Sequence, residues 1–463
     1  MIHKDHHTAI TSSNLLSYGT ARHMKGDLST AKSAYIKVIK NDPKNIVALQ
    51  LLGTLFLQQG HLSEAQALLS KAIEYDPTYA DAYLNRAVLF KKIGKYDQAV
   101  GDLEIVLTLN PNAIAHFNYA NLLDHMGHFD RALIEYDAAI WLDPENEDFF
   151  TNKCHLLLKM GHFESGWKLY ERRWRRKNLA LKKRHFDKPK LTQQSLLQDV
   201  KGKRIFLHWE QGFGDTIQFC RFASLLSNLG AEIILEVQKP LFELMKSLCG
   251  VSNLISNGDK IPPFDFFSPL MSLPFVLNTN LSSIPASKFY LQSQPEKQAK
   301  WGRLLGQCNK PRIGIVWSGS ASHKNDQNRS MSLSSILKGI PAEYEIISLQ
   351  KEVKNDDIKY LMKMPEIKHF GNELIDFSDT AALIEHIDAV VSVDTSVAHL
   401  AGALGKPVHL LLSHEIDFRW LVGRSDSPWY PSMKIYRKNL NNNWSEVLQK
   451  VMEELQFLSK KKS

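Results

Sequence analysis

Up to about Lys201 the apolar positions recur at helical spacing and are broken at a fixed interval; beyond it they gather into short runs separated by helical segments. Gly26, Gly60, Gly94, Gly127 and Gly161 stand 34, 34, 33 and 34 residues apart. Five positions after each comes a small residue, Ala31, Ala65, Ala99, Ala132 and Gly166, and Pro43, Pro77, Pro111 and Pro144 keep the same beat. The pattern predicts repeated helix pairs: glycine ends the first helix, the small residue admits a close neighbour, and proline stops the second helix. One pair cannot bury its apolar face, so successive pairs must stack. In the second regime the runs Arg204–His208, Glu232–Val237, Arg312–Trp317, Tyr344–Leu349, Ala389–Val393 and Val408–Leu412 predict parallel strands with crossover helices. A Pro-rich, weakly patterned stretch, Ile261–Pro295, carries the signals of a loop and crossover between two such groups.

Three independent marks in one register over residues 11–176 resemble the tetratricopeptide repeat, in about five copies. The resemblance implies a right-handed superhelix with a concave groove that takes extended peptides or partner proteins. Asn85, Asn118 and Asn152 each lie nine residues before their repeat glycine, where the two earlier repeats have Ser17 and Leu51. Side-chain amides carry donors and acceptors, so this row is a candidate for holding a peptide backbone; the alternative is a solvated helix face. It is similar to the asparagine ladder of O-linked N-acetylglucosamine transferase. Trp167, Tyr170 and Trp174 in the last pair suit a helix that caps the solenoid and docks on the next domain through core packing.

Charge changes the picture only locally. Ten Lys/Arg against Asp187 between Arg172 and Lys190 give an excess of nine, while the remaining 47 cations face 48 carboxylates. One basic stripe does not predict a nucleic-acid binder; it suits acidic acceptors or a solvated linker. Cys154, Cys220, Cys249 and Cys308 match neither a disulfide framework nor metal-ligand spacing and are expected as reduced thiols packed like small apolar residues. No run approaches membrane-spanning length and the amino-terminal stretch lacks a signal-peptide core, so a soluble cytoplasmic protein is expected.

Candidate chemistry lies at strand ends. The first strand leads into His208-Trp209-Glu210-Gln211-Gly212-Phe213-Gly214-Asp215, a strand-turn-helix junction that brings backbone N–H groups near a ligand. Asp215 there is a candidate base or a plain helix cap, with Glu210 or His208 as the alternative base. In the second group Val316-Trp317-Ser318-Gly319 precedes a loop holding His323, Lys324 and Arg329, and Ala389–Val393 leads into Asp394-Thr395-Ser396-Val397-Ala398-His399. Thr395 and Ser396 start a helix whose free N–H groups suit phosphate oxygens, and His399, one turn later, is a ligand or a core histidine. Arg419, Arg424, Trp420 and Trp429 either touch a substrate or pack between lobes.

These segments resemble the tetratricopeptide-linked bacterial glycosyltransferases related to the heptosyltransferases, of GT-B arrangement. The resemblance implies Asp215 as base, Asp394, Thr395 and His399 in the donor-binding run, and Lys324 as the phosphate-contacting lysine. The expected fold class is α + α/β: a tetratricopeptide α-solenoid over 11–176, a basic linker over 177–195, Rossmann-like lobes over 196–296 (acceptor side) and 297–440 (nucleotide-sugar side), and a helix with a basic tail over 441–463, placed as a return to the first lobe. The site set is Asp215 and Glu210 for catalysis, Ser318, Lys324, Arg329, Asp394, Thr395, Ser396 and His399 for the donor, and the asparagine row for the acceptor. No Asp lies two residues from another, so positive charge on the departing phosphate falls to Lys324, Arg329 and the helix start, and metal independence with no cofactor is expected. The leading reading is sugar transfer from a nucleotide sugar to a protein held by the repeats. The alternatives are a saccharide or lipopolysaccharide acceptor with the repeats used for assembly, and a scaffold that has lost activity.

Overall fold

The computed structural model describes residues 11–176, 183–320, 326–439 and 443–460, and the chain divides between Leu156 and Leu157 into two compact units. The first is made of helix pairs: Ser12–Met24 with Leu28–Asn41, Ile46–Gln59 with Leu62–Tyr75, Ala80–Lys92 with Tyr96–Leu109, and Ala113–Met126 with Phe129–Leu142. Glu147–Met160 runs across the division. Gly26, Gly60, Gly94 and Gly127 hold φ between 77° and 84°, the left-handed values that let the chain reverse after each first helix. Thr11, Asp27, Asn45 and Asn112 cap their helices by accepting a backbone N–H three residues on, each worth about 1 kcal/mol. Ala31, Ala65, Ala99 and Ala132 are fully buried at the close approaches. First helices of consecutive pairs also touch one another, so the repeats share a continuous inner layer.

The second unit begins earlier than the repeat motif predicts, and packing gives the reason. In the Phe163–Tyr170 helix, Trp167 meets Phe219 and Phe418 edge-on, with centroids 5.9 and 5.8 Å away, and Tyr170 is buried beside Phe418. This helix, expected to close the solenoid, is therefore built into the core of the second unit.

That core holds two wholly parallel sheets. The first orders β3 (Asn253–Ser256), β2 (Glu232–Val237), β1 (Arg204–His208) and β4 (Phe266–Pro269). The second orders β10 (Met433–Arg437), β9 (Val408–Leu412), β8 (Ala389–Val393), β5 (Arg312–Val316), β6 (Glu345–Ser348) and β7 (Lys368–His369). Strands buried on both faces need continuous apolar runs, which is why β1, β2, β5, β8 and β9 are legible in the sequence; β6, part-buried at Glu345 and Ile346, is legible from its Ile-Ile pair. β4 lies inside the stretch expected as loop; its four residues become a strand by pairing with β1.

The expected linker also has a different role. Leu191 donates its N–H to the Phe267 carbonyl at 2.8 Å and Phe267 donates to that of Pro189 at 3.2 Å, so these residues extend the sheet beyond β4. Phe186 packs on Phe206, Phe264 and Phe267. Three cations of the basic stripe are spent internally: Arg173 pairs with Glu210 and Glu171, Arg184 with Glu236, and Lys190 with Glu171. Lys177 and Lys182 lie outside the described residues.

The carboxyl-terminal helix, Trp444–Lys460, does not return to the first sheet. Val447, Val451 and Leu455 sit in the core of the second, beside Ile313 and Val391, and each contributes about 1.5–3 kcal/mol of transfer free energy. Tyr344 donates its hydroxyl to the Leu455 carbonyl at 2.7 Å. Cys154 and Cys220 are buried as expected, but Cys249 and Cys308 are exposed. Among the described residues no helix is long and apolar enough to cross a membrane.

Candidate active site

In open parallel sheets ligands collect at the carboxyl ends of the strands. Here β1 leads into the helix Phe213–Phe219 and β8 into the helix Ser396–Ala403, and the two helices pack directly on each other. Gly214 permits the contact: a Cβ at that position would lie 2.9 Å from His399 Cδ2 and 3.5 Å from Ser396 Cα.

Asp215 occupies the first turn of its helix and folds back, so that one carboxylate oxygen accepts the Gly212 N–H at 2.8 Å. The other accepts the guanidinium of Arg419. Burial pushes the carboxyl above its ordinary range, with Arg419 the main opposing influence. Glu210, five residues earlier, is gripped by Arg173, whose Nη2 stands 2.9 Å from both carboxylate oxygens and whose Nε stands 3.1 Å from one. Its side chain is 3 % exposed, so both oxygens are committed to an ion pair. His208, at the end of β1, is buried with Nδ1 2.9 Å from the Trp209 carbonyl, and burial lowers its pKa to about 4.

The opposite wall comes from β5 and β8. Ser318 follows β5; its backbone N–H and C=O both bond the Gln350 amide, at 3.3 and 2.9 Å, and its Oγ is buried with no hydrogen-bond partner among the described residues. Arg329 lays its guanidinium over Gly319 and donates to the Asp394 carbonyl at 2.9 Å. Burial, reinforced by Asp417, pushes the Asp394 carboxyl up to about 6. Thr395 caps the Ser396–Ala403 helix without a side-chain hydrogen bond to its N–H groups. Its hydroxyl lies 3.3 Å from Ser392 Oγ. His399 is buried, stacks on Trp420 with centroids 5.0 Å apart, and holds Tyr430 Oη 2.9 Å from Nδ1. Burial and then Arg419 lower its pKa to about 3, so the imidazole is neutral. Lys324 and His323 lie outside the described residues.

The structure thus gathers Asp215, Ser318, Arg329, Asp394, Thr395, Ser396 and His399 around the meeting point of the two helices. Glu210 is part of the framework behind Asp215. Trp420 and Trp429 are buried in packing, and Arg424 pairs with Asp426 on its own turn. Sequence reading missed Arg221 and Tyr430. Arg221 is fully buried: it donates to the Gln218 carbonyl at 2.7 Å, the Trp429 carbonyl at 2.5 Å and Tyr290 Oη at 2.8 Å, and its guanidinium stacks on Tyr290 and Tyr430. A lone cation inside the apolar run Phe219-Cys220-Arg221-Phe222 was the available signal.

In the first unit the asparagine row is not uniform. Asn85 donates to the Asp81 carbonyl of its own helix at 2.7 Å, and Asn152 donates to Asn121 Oδ1 at 2.7 Å. Asn118 is half-buried with no hydrogen-bond partner among the described residues. Also among the described residues, no group of three or more His, Cys, Asp or Glu could hold a metal ion.

Comparison with known proteins bears on both units. Residues 53–94 match the TPR repeat family and 89–147 the Tetratricopeptide repeat family, while 374–453 match Glycosyltransferase family 9 (heptosyltransferase). Protein FlbA of Caulobacter vibrioides is 24% identical over 459 residues, covering 91% of this chain and 69% of FlbA. The probable UDP-N-acetylglucosamine–peptide N-acetylglucosaminyltransferase SPINDLY of Hordeum vulgare is 29% identical over 24% of this chain and 12% of its own. Among solved structures, a thermophilic TPR protein of Thermus thermophilus covers 35% of this chain and 89% of its own at 20% identity and a TM-score of 0.33.

Proposed function

For a chain that carries tetratricopeptide repeats followed by a glycosyltransferase family 9 domain, we propose sugar transfer from a nucleotide sugar to a protein hydroxyl, with the acceptor recruited by the repeats. The observation that carries this reading is the convergence of a part-buried carboxylate, Asp215, with an anion-binding set on the facing lobe. That set is the N–H groups at Thr395 and Ser396 and the Ser318 hydroxyl, which have no partner among the described residues, with the Arg329 guanidinium. In the proposed step the acceptor oxygen bonds the anomeric carbon as the carbon–phosphate-oxygen bond breaks. The hydroxyl proton passes to Asp215, and the nucleoside diphosphate leaves onto the anion-binding set. Protein cations would supply the charge that a metal supplies elsewhere, so activity should survive chelation by EDTA. The name of the SPINDLY relative, which describes a peptide acceptor, supports a protein substrate here.

The test is to incubate the full chain with a panel of nucleotide sugars, following nucleotide release and label transfer to candidate proteins and saccharides. Binding by the native state must also raise the melting temperature. Label found only on saccharide would remove the protein-acceptor reading. Asn118→Ala should reduce transfer to protein while leaving nucleotide release intact.

Gly319 gives a sharper prediction. A Cβ there would overlap the Arg329 guanidinium, so Gly319→Ala must displace that group from its seat. The arginine is the flexible partner, and the fold should lose little. Donor KM is expected to rise about tenfold, the loss of roughly one charge-assisted contact. Steady-state kinetics with an unchanged KM would show that Arg329 does not meet the donor.

A further inference from the structure

We propose that Arg419 is a positioning residue of the transfer, holding the Asp215 carboxylate from the other lobe in the orientation and ionised state of a base. This rests on the reading of Asp215 as that base and adds what keeps it competent.

The two residues come from opposite lobes: Asp215 from the helix after β1, and Arg419 from the turn Phe418–Trp420 after β9. Arg419 reaches Asp215 through Nη2, and its own placement is over-determined. Asp417 accepts both the Arg419 backbone N–H, at 3.0 Å, and its Nη1, at 2.7 Å. Phe418 and Phe219 cover the guanidinium at 4.4 and 5.9 Å. Two residues on, Leu421 holds φ 52° and ψ 166°, a left-handed conformation that a branched side chain rarely adopts, and it does so while buried. Strain of this kind persists where the surroundings fix a functional geometry. Arg419 Nε is buried without a hydrogen-bond partner among the described residues. An arginine serving only to bridge two lobes needs neither the second carboxylate nor the strained turn.

The charges around Asp215 can be named from each packed element. Arg419 and Asp417 face it from the Phe418 turn, Glu210 from its own loop, Tyr170 from the Phe163–Tyr170 helix, and neutral His399 from the Ser396–Ala403 helix. Burial and Asp417 both favour protonation, and Arg419 is the main cation opposing them. Removing it raises the Asp215 pKa, so the ionised fraction falls first at low pH.

The experiment follows nucleotide release from a panel of UDP-, GDP-, ADP- and dTDP-sugars against pH, for the full chain and its Arg419→Gln, Arg419→Lys, Asp417→Asn and Asp215→Asn variants. In Arg419→Gln the acidic limb of kcat/KM should move up by about one pH unit or more, with kcat at pH 7 down about 30-fold and donor KM within about threefold. Arg419→Lys keeps a cation and should restore the limb but only part of kcat. Asp417→Asn frees the guanidinium to rotate and should lower kcat without moving the limb upward, which keeps the proposal open to refutation if Arg419→Gln does not fold. Combining Arg419→Gln with Asp215→Asn should cost no more than Asp215→Asn alone. An unmoved limb in Arg419→Gln, or a loss confined to KM, overturns the role of Arg419. Full turnover in Asp215→Asn overturns the base assignment instead, and no turnover of any donor by the unaltered chain overturns the enzymatic reading on which both stand.

Discussion

Asp215→Asn is expected to lower turnover of the nucleotide sugar by about 10²–10⁴-fold while leaving the donor-induced rise in melting temperature in place. The amide is nearly isosteric and can still accept from Gly212 or from Arg419, the two partners that hold the carboxylate. It has no basic lone pair for the acceptor proton. The helix start at Thr395 and Ser396 and the Arg329 guanidinium are untouched, so the diphosphate should bind as before. Retention of more than about a third of kcat at pH 7 would contradict a general-base contribution of that size.

Arg173→Ala should have the largest effect on stability, a loss of about 3–5 kcal/mol from the second unit. The substitution strands Glu210, whose side chain is 3 % exposed, without its cation. It also removes the Arg173 hydrogen bonds to Ser272 and to the Tyr170 carbonyl. Burial already pushes the Glu210 carboxyl upward despite Arg173, so the variant should raise it further. A carboxyl whose folded pKa exceeds the unfolded value destabilises while ionised, so the deficit is full above the folded pKa and shrinks as pH falls through it. Denaturant unfolding followed by tryptophan fluorescence checks this, because Trp141 is the one tryptophan before Leu157 and the other eight report the second unit. Replacing both partners, as Arg173→Met with Glu210→Leu, should recover much of the loss. A single variant that unfolds at the unaltered midpoint would mean that the pair contributes nothing.

The repeats were legible because glycine, alanine and proline each mark a different physical event and share one register. Five of the six strands read from apolar runs, all but β6, are buried along all but at most one residue. β4 was not legible: Phe-Phe-Ser-Pro carries no strand period of its own and owes its state to β1. The same distinction holds at the site. Asp215 and the Asp394–His399 run were found because strand, turn and helix follow one another locally. The ion pair that positions Asp215 joins residues 204 positions apart, and the one that ties up Glu210 joins residues 37 apart. No local pattern distinguishes a carboxylate that a distant arginine positions for a substrate from one that a distant arginine holds in the framework.

The helix Phe163–Tyr170 carries the mark of the repeat, Gly166, yet its aromatic face is buried among Phe219, Phe418 and Trp429. Genetic exchange that grafted these lobes onto another solenoid would therefore have to cross over upstream of Leu157 and carry this helix along. A breakpoint after Arg176, where the motif ends, would tear a tryptophan from the interior and leave Glu210 with no counter-ion. The seam along which such a gene can be shuffled lies one helix before the seam drawn by its repeats.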